Sequence, residues 1–121
     1  ADNPDVAGSW VATPKVYVAL LTQSGTSAPT AAVRSNTLSA AIVWSRTDVG
    51  KYVGTLAGAF PITTQLYYSQ INNGVDQISG AVRLNRIDAN SVNLMTGDLT
   101  DYADFAGASI DGIYINIEVY P

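Results

Sequence analysis

Apolar and polar residues alternate with a period of two over much of this chain, most sharply at its C-terminal end. There Ile113, Ile115, Ile117 and Val119 interleave with Tyr114, Asn116, Glu118 and Tyr120. A strand at this position turns four branched aliphatic side chains toward a core and two tyrosines outward. Alternation this regular is expected of a strand central in its sheet and tied to the N-terminal half of the chain.

Two further runs, AIVWSR from Ala41 and KYVGTL from Lys51, flank the polar segment Thr47-Asp48-Val49-Gly50. They predict a β-hairpin, because Gly50 can take the positive φ that a tight reversal needs. Ile42, Trp44 and Arg46 then share one face, as do Tyr52, Gly54 and Leu56. Trp44 and Tyr52 are expected to be near neighbours across the ladder, with Trp44 largely buried and Gly54 leaving room for an aromatic neighbour. Residues 15–22 (KVYVALLT) form the first strand, β-branched and aromatic without a breaker. Weaker or shorter strands follow over residues 30–38, 65–71, 78–86 and 91–95, separated by segments rich in Gly, Pro, Asn and hydroxyl residues. One stretch has helical spacing: Leu99, Tyr102, Phe105 and Ala106 recur after Asp98, which could cap it.

Seven to eight short strands at roughly ten-residue spacing predict an all-β fold. The expected form is a single-domain antiparallel β-sandwich, jelly-roll-like or Ig-like, or a small barrel, with at most one short helix near 99–106. Residues 1–14, with two prolines and Trp10 as their one large apolar group, read as an extended arm on a domain spanning 15–121. Trp10 either plugs that arm onto its own core or anchors it to a neighbouring subunit, since Trp is favoured at interface hot spots. The start at Ala1 fits either loss of an initiator Met or cleavage of a longer precursor, and residues 1–5 lack the basic and apolar regions of a signal peptide.

Composition narrows the chemistry. Cysteine and histidine are both absent, which removes thiolate nucleophiles, disulfides, the usual general base and the commonest transition-metal ligand. A net charge of −4 without a basic cluster speaks against a nucleic-acid surface. No run approaches the roughly 18 apolar residues of a helical membrane span. Charged residues are only 13% of the chain, so small polar residues must cover most of the surface, as in many extracellular or virion-associated β proteins.

Candidate sites are few. Asp98, Asp101 and Asp104, with Asp111 beyond, are the one acidic concentration, and carboxylates there could hold Ca²⁺ or simply solvate a capping loop. Asp48, Asp76, Asp88 and Glu118 are too scattered to predict a pair for glycoside hydrolysis, and a Ser-Lys dyad would have to use Lys15 or Lys51. No catalytic residue and no cofactor is expected. The outward tyrosines Tyr114 and Tyr120, with one of Tyr67 or Tyr68, could stack on sugar rings, form a subunit interface, or pack within the molecule.

The pattern YxALLTQSGTxAPT from Tyr17 to Thr30, followed by WxRxxxGxYxGTL from Trp44 to Leu56, resembles small β-rich proteins of bacteriophages and prophages, many with Bacteroidota hosts, that are associated with virion structure. The resemblance implies a non-enzymatic virion protein on the capsid exterior: a decoration protein, minor capsid protein or head-fibre component. Its expected partners are other virion proteins, the major capsid protein above all, and copies of itself, a trimer fitting capsid symmetry; neither nucleic acid nor membrane is expected. It carries over no active-site residues. A carbohydrate- or host-surface-binding β-sandwich is the alternative, and Trp10, Tyr114 and Tyr120 are the interface candidates.

Overall fold

In the computed structural model, which describes residues 13–72, 81–97, 101–108 and 110–121, eight strands account for the regular structure. They are β1 (Lys15–Thr22), β2 (Thr30–Asn36), β3 (Val43–Asp48), β4 (Lys51–Thr55), β5 (Thr64–Asn72), β6 (Ala81–Asp88), β7 (Ser91–Gly97) and β8 (Ile110–Val119). They form two antiparallel four-stranded sheets, β2-β1-β8-β5 and β3-β4-β7-β6. The sheets do not close on one another, so the sandwich expectation holds and the barrel is set aside.

The pairing follows from the alternation. β8 lies between β1 and β5, with Tyr17 opposite Ile117 and Leu66 opposite Ile117 on its other side. Its central position explains why Ile113, Ile115 and Ile117 are almost wholly buried. Tyr17, Ala19 and Leu21 of β1 join them from one sheet, and Trp44, Tyr52, Leu84, Val92 and Leu94 from the other. Phe60 and Phe105 enter the same core from connecting segments.

The predicted hairpin is β3–β4, with two refinements. The reversal is tighter than the four-residue segment suggested: Asp48 pairs with Lys51, a register shift falls between Arg46 and Asp48, and Gly50 takes φ 65°. A side chain at Gly50 is doubly excluded, because a Cβ there would lie 2.3 Å from the Thr96 carbonyl oxygen. Across the ladder Trp44 faces Gly54, while Tyr52 faces Arg46. The aromatic neighbour that Gly54 accommodates is therefore Trp44 itself, whose ring carbons stand 3.0 Å from where a Gly54 Cβ would be. Trp44 is 8% exposed and its Nε1 donates to Tyr17 Oη at 3.3 Å, a bond between the two sheets.

The helix near 99–106 is not formed among the described residues. Gly97 makes an antiparallel bridge with Tyr102, and the Ala103 amide donates to the Thr96 carbonyl at 3.1 Å. Tyr102 and Ala103 thus pair back against the end of β7, and Phe105 and Ala108 turn into the core. Tyr102 is exposed whereas Phe105 and Ala108 are buried, so the apolar residues do not make the single stripe that a helix would require. The arm over residues 1–14, with Trp10, lies outside the described residues except for its last two positions.

Candidate functional site

Two assemblies of side chains stand out, one inside the sandwich end and one on its surface. The inner one gathers around Asp104. Its carboxylate accepts from Arg46 Nε at 3.1 Å and Nη2 at 2.9 Å, from the Gly50 amide at 3.0 Å and from Gln23 Nε2 at 3.4 Å. Tyr52 Oη completes the set at 2.7 Å from Asp104 Oδ1. Gln23 in turn accepts the Phe105 amide at 3.0 Å and donates to the Ser27 carbonyl at 2.9 Å, which fixes its amide orientation. Five parts of the chain are thereby fastened at one point: the end of β1, β3, its turn, β4 and the 101–108 segment.

The electrostatics follow from those partners. The Arg46 guanidinium, with the surrounding N–H and O–H donors, holds the Asp104 carboxyl far below the usual carboxylate range despite its burial. Burial raises the Tyr52 phenol, and its hydrogen bond to Asp104 raises it further. The Arg46 guanidinium is raised by the same carboxylate. Nothing here acts as an acid or base near neutral pH, so the cluster behaves as a structural fastener.

These contacts also bear on the cation reading of Asp98, Asp101 and Asp104. Asp104 is saturated by donors and faces a guanidinium, a donor set that a Ca²⁺ ion could enter only by displacing Arg46. Asp101 is exposed and accepts the Tyr102 amide at 2.8 Å, and Asp98 lies outside the described residues. Among the described residues no group of three or more His, Cys, Asp or Glu side chains converges as metal ligands. Two depressions mark the described surface. One of about 360 Å³ is lined by Lys15, Leu38, Ala59, Pro61 and Tyr120, the other of about 510 Å³ by Arg83, Met95, Asp101 and Tyr102. The first also holds Ser39 beside Lys15, the one place among the described residues where a hydroxyl and a lysine share a depression, and neither lining holds two carboxylate side chains.

The outer assembly is the solvent side of the β2-β1-β8-β5 sheet. β1 is apolar on both faces: Tyr17, Ala19 and Leu21 point inward while Val16, Val18 and Leu20 point outward and are half-buried. A strand with a solvated face ordinarily carries polar residues there. Beside this aliphatic stripe, β8 presents Tyr114, Asn116, Glu118 and Tyr120, as the alternation predicted. Tyr67 of β5, opposite Asn116, extends the face and is 47% exposed. Its neighbour Tyr68 points the other way, at the lateral edge, where its Oη donates to the Val82 carbonyl at 2.9 Å and links β5 to β6.

The tyrosine hydroxyls of this face are engaged within it. Tyr67 Oη donates to Gln65 Oε1 at 2.7 Å, Tyr120 Oη donates to Glu118 Oε1 at 2.8 Å, and Arg34 Nη2 donates to Tyr114 Oη at 3.3 Å. The Arg34 guanidinium also sits 5.6 Å from the centre of the Tyr114 ring. Asn116 Nδ2 donates to Glu118 Oε2 at 3.4 Å, while its Oδ1, buried at the middle of the face, has no hydrogen-bond partner. Of the sequence candidates, Tyr114 and Tyr120 fall on this one face, six positions apart, and Trp10 lies outside the described residues. The outward aliphatic triplet Val16, Val18 and Leu20 was the missed half of the face, although the unbroken apolar run from Val16 to Leu21 was its signal.

Fold and face together define a β-sandwich whose outer β2-β1-β8-β5 surface sets an aliphatic strand beside Tyr114, Asn116 and Glu118. Neither a protein-family model nor a curated protein nor a solved structure matches the chain.

Proposed function

We propose that the protein is a non-enzymatic structural component of a bacteriophage virion, a decoration, minor capsid or head-fibre protein on the capsid exterior, that docks through the outer face of the β2-β1-β8-β5 sheet. One observation carries this reading: the face joins an aliphatic stripe to tyrosines whose hydroxyls are engaged by neighbours within the face, Tyr67 and Tyr120 as donors and Tyr114 as acceptor. Such a surface can be covered by protein without orphaning the Tyr67 or Tyr120 phenol, and aromatic residues are enriched in interface cores. The resemblance over Tyr17 to Leu56 supplies the virion setting.

The test is binding of the purified chain to capsid shells that lack it. Val18→Arg, which places a charge at the middle of the face, is expected to weaken binding at least tenfold, a loss of about 1.4 kcal/mol or more. Val53→Arg, on the outward side of the other sheet, should bind like the wild type. Equal binding by all three proteins would refute the reading. A carbohydrate- or host-surface-binding role draws on the half-exposed Tyr67 ring. It predicts glycan-array affinity that Tyr114→Ala or Tyr120→Ala abolishes and Val18→Arg leaves largely intact.

A further inference from the structure

We infer that the depression between the ends of β6 and β7 and the 101–102 segment binds an acidic sugar, a pyranose carrying one carboxylate. It lies on the β3-β4-β7-β6 sheet, away from the surface assigned to assembly, and stands independently of that reading.

Register builds the site. Lys51 of β4 and Arg83 of β6 both pair with Met95 of β7, so the three form one row across the sheet. Their chain neighbours Tyr52, Leu84 and Leu94 are in the core, which turns the row outward. The two cations thus stand about 10 Å apart at their Cα atoms, a gap that long side chains can close onto one anionic group. Gly97 brings in the aromatic wall. Its bridge to Tyr102 lays the 101–102 backbone against the strand end so closely that a Cβ at Gly97 would lie 2.6 Å from the Asp101 carbonyl oxygen. Tyr102 is held there 49% exposed, with the Lys51 ammonium 4.6 Å from its ring centre. Arg83, Met95, Asp101 and Tyr102 line the resulting space of about 510 Å³.

The charges select the ligand. Among the described residues neither Lys51 nor Arg83 forms an ion pair, whereas Arg46 is committed to Asp104, Arg34 lies on Tyr114 and Arg86 donates to the Phe60 carbonyl. Asp48, across the ladder from Lys51, turns its carboxylate to the Val49 amide. Two uncommitted cations therefore meet at one depression of a chain whose net charge is −4. An exposed guanidinium grips a carboxylate through two parallel hydrogen bonds. The Tyr102 ring offers a platform for the apolar face of a pyranose, and the Asp101 carboxylate at the rim accepts from its hydroxyls. Asp101 also discriminates, because it repels a sulfate or phosphate, which brings it no donor, and the net charge of the chain repels a polyanion. One negative charge on a hydroxyl-bearing ring suits all three groups.

Titration of the intact, isotope-labelled chain followed by amide NMR tests this, with methyl glucuronide as the probe and methyl glucoside and acetate beside it. Glucuronide is expected to move the amides of Lys51, Arg83, Met95 and Tyr102 saturably, with a Kd on the order of 1 mM for so open a site. Glucoside, which lacks the charge, should bind about fivefold more weakly, and so should acetate, which lacks the ring. Arg83→Gln and Tyr102→Ala should each weaken glucuronide by about fivefold while largely keeping the melting temperature, since both side chains are exposed. Tyr67→Ala, on the other sheet, should bind like the wild type. The absence of a saturable shift with glucuronide at about 50 mM, far above that constant, overturns the inference. Equal affinity for acetate would make this a general anion site and equal affinity for glucoside a neutral-sugar site, and either result overturns it. Shifts centred on Tyr67, Tyr114 and Tyr120 also overturn it, and would instead support glycan binding on the β2-β1-β8-β5 face.

Discussion

Replacing Asp104 by Asn removes one charge from the fastener at the sandwich end and keeps its shape. The pair it breaks is not a surface pair: the side chains of Arg46 and Asp104 are 19% and 15% exposed, and the guanidinium grips the carboxylate through two nitrogens. Exposed ion pairs contribute about 0–1 kcal/mol, whereas removing one partner of a fully buried pair costs about 3–5 kcal/mol. Asn retains an acceptor for the Gly50 amide or Tyr52 hydroxyl but turns two hydrogens into a site already rich in donors. Partial burial and one surviving acceptor place the loss between those limits, at about 2–3 kcal/mol. For a domain of this size that is a fall of roughly 6–15 °C in melting temperature.

The pH dependence gives a second, independent readout. The folded pKa of Asp104 is lowered, so its contribution is fully present above the unfolded value near 4 and is lost as pH falls toward the folded value. Thermal melts of wild type and Asp104→Asn should therefore differ most at neutral pH and converge progressively below about pH 4. A loss under about 0.5 kcal/mol at pH 7 would show that the pair behaves as a solvated surface contact. A difference that persists undiminished into acid would show that charge is not the cause.

Three further outcomes follow from the same geometry. Gly54→Ala should cost about 1–3 kcal/mol in denaturant unfolding, since its Cβ would lie 2.9 Å from Ile42 Cγ2 and 3.0 Å from the Trp44 ring, and one of them must move. Gly50→Ala should cost more, because it adds a clash with backbone oxygen to a positive φ. Tyr52→Phe should cost about 1–2 kcal/mol at pH 7, having lost its hydrogen bond to Asp104. It should also abolish an alkaline limb: with its folded pKa raised, Tyr52 stabilises fully below about pH 10, and that contribution is lost as pH climbs toward the folded value. Equal slopes for wild type and Tyr52→Phe above pH 10 would contradict this.

Much of the fold was legible because hydrophobic burial in a sandwich writes itself at period two. β1 runs from Lys15 to Thr22 as its composition predicts, and the inward and outward sets of β8 are those the alternation assigns. What was not legible depends on register and on distance along the chain. The hairpin register sets Trp44 opposite Gly54, so that Tyr52, opposite Arg46, is its diagonal neighbour on the same face rather than its direct partner, and no local pattern announces that register. The helical spacing of Leu99, Tyr102 and Phe105 was overridden by tertiary context, because Phe105 is needed in the core, edge-on to Tyr52 with ring centres 5.5 Å apart. The Arg46–Asp104 pair spans 58 positions. A single acid among four reads as a loop residue until the fold brings it to its arginine. The outer face was half legible: outward tyrosines follow from parity, whereas Val16, Val18 and Leu20 were absorbed into a strand whose apolar run concealed that it has two apolar sides.

The central claim is that this protein acts by covering the outer face of the β2-β1-β8-β5 sheet, and hydroxyl-radical footprinting of its tyrosines tests it without any mutation. Tyr67, Tyr114 and Tyr120 lie on that face, while Tyr102, 49% exposed beside Lys51, belongs to the β3-β4-β7-β6 side of the molecule. The free, dilute chain and the chain assembled on particles would be labelled in parallel and compared residue by residue. Protection of Tyr67, Tyr114 and Tyr120 on assembly, with Tyr102 labelled as before, is the expected result; labelling of the three that is unchanged by assembly would contradict the account.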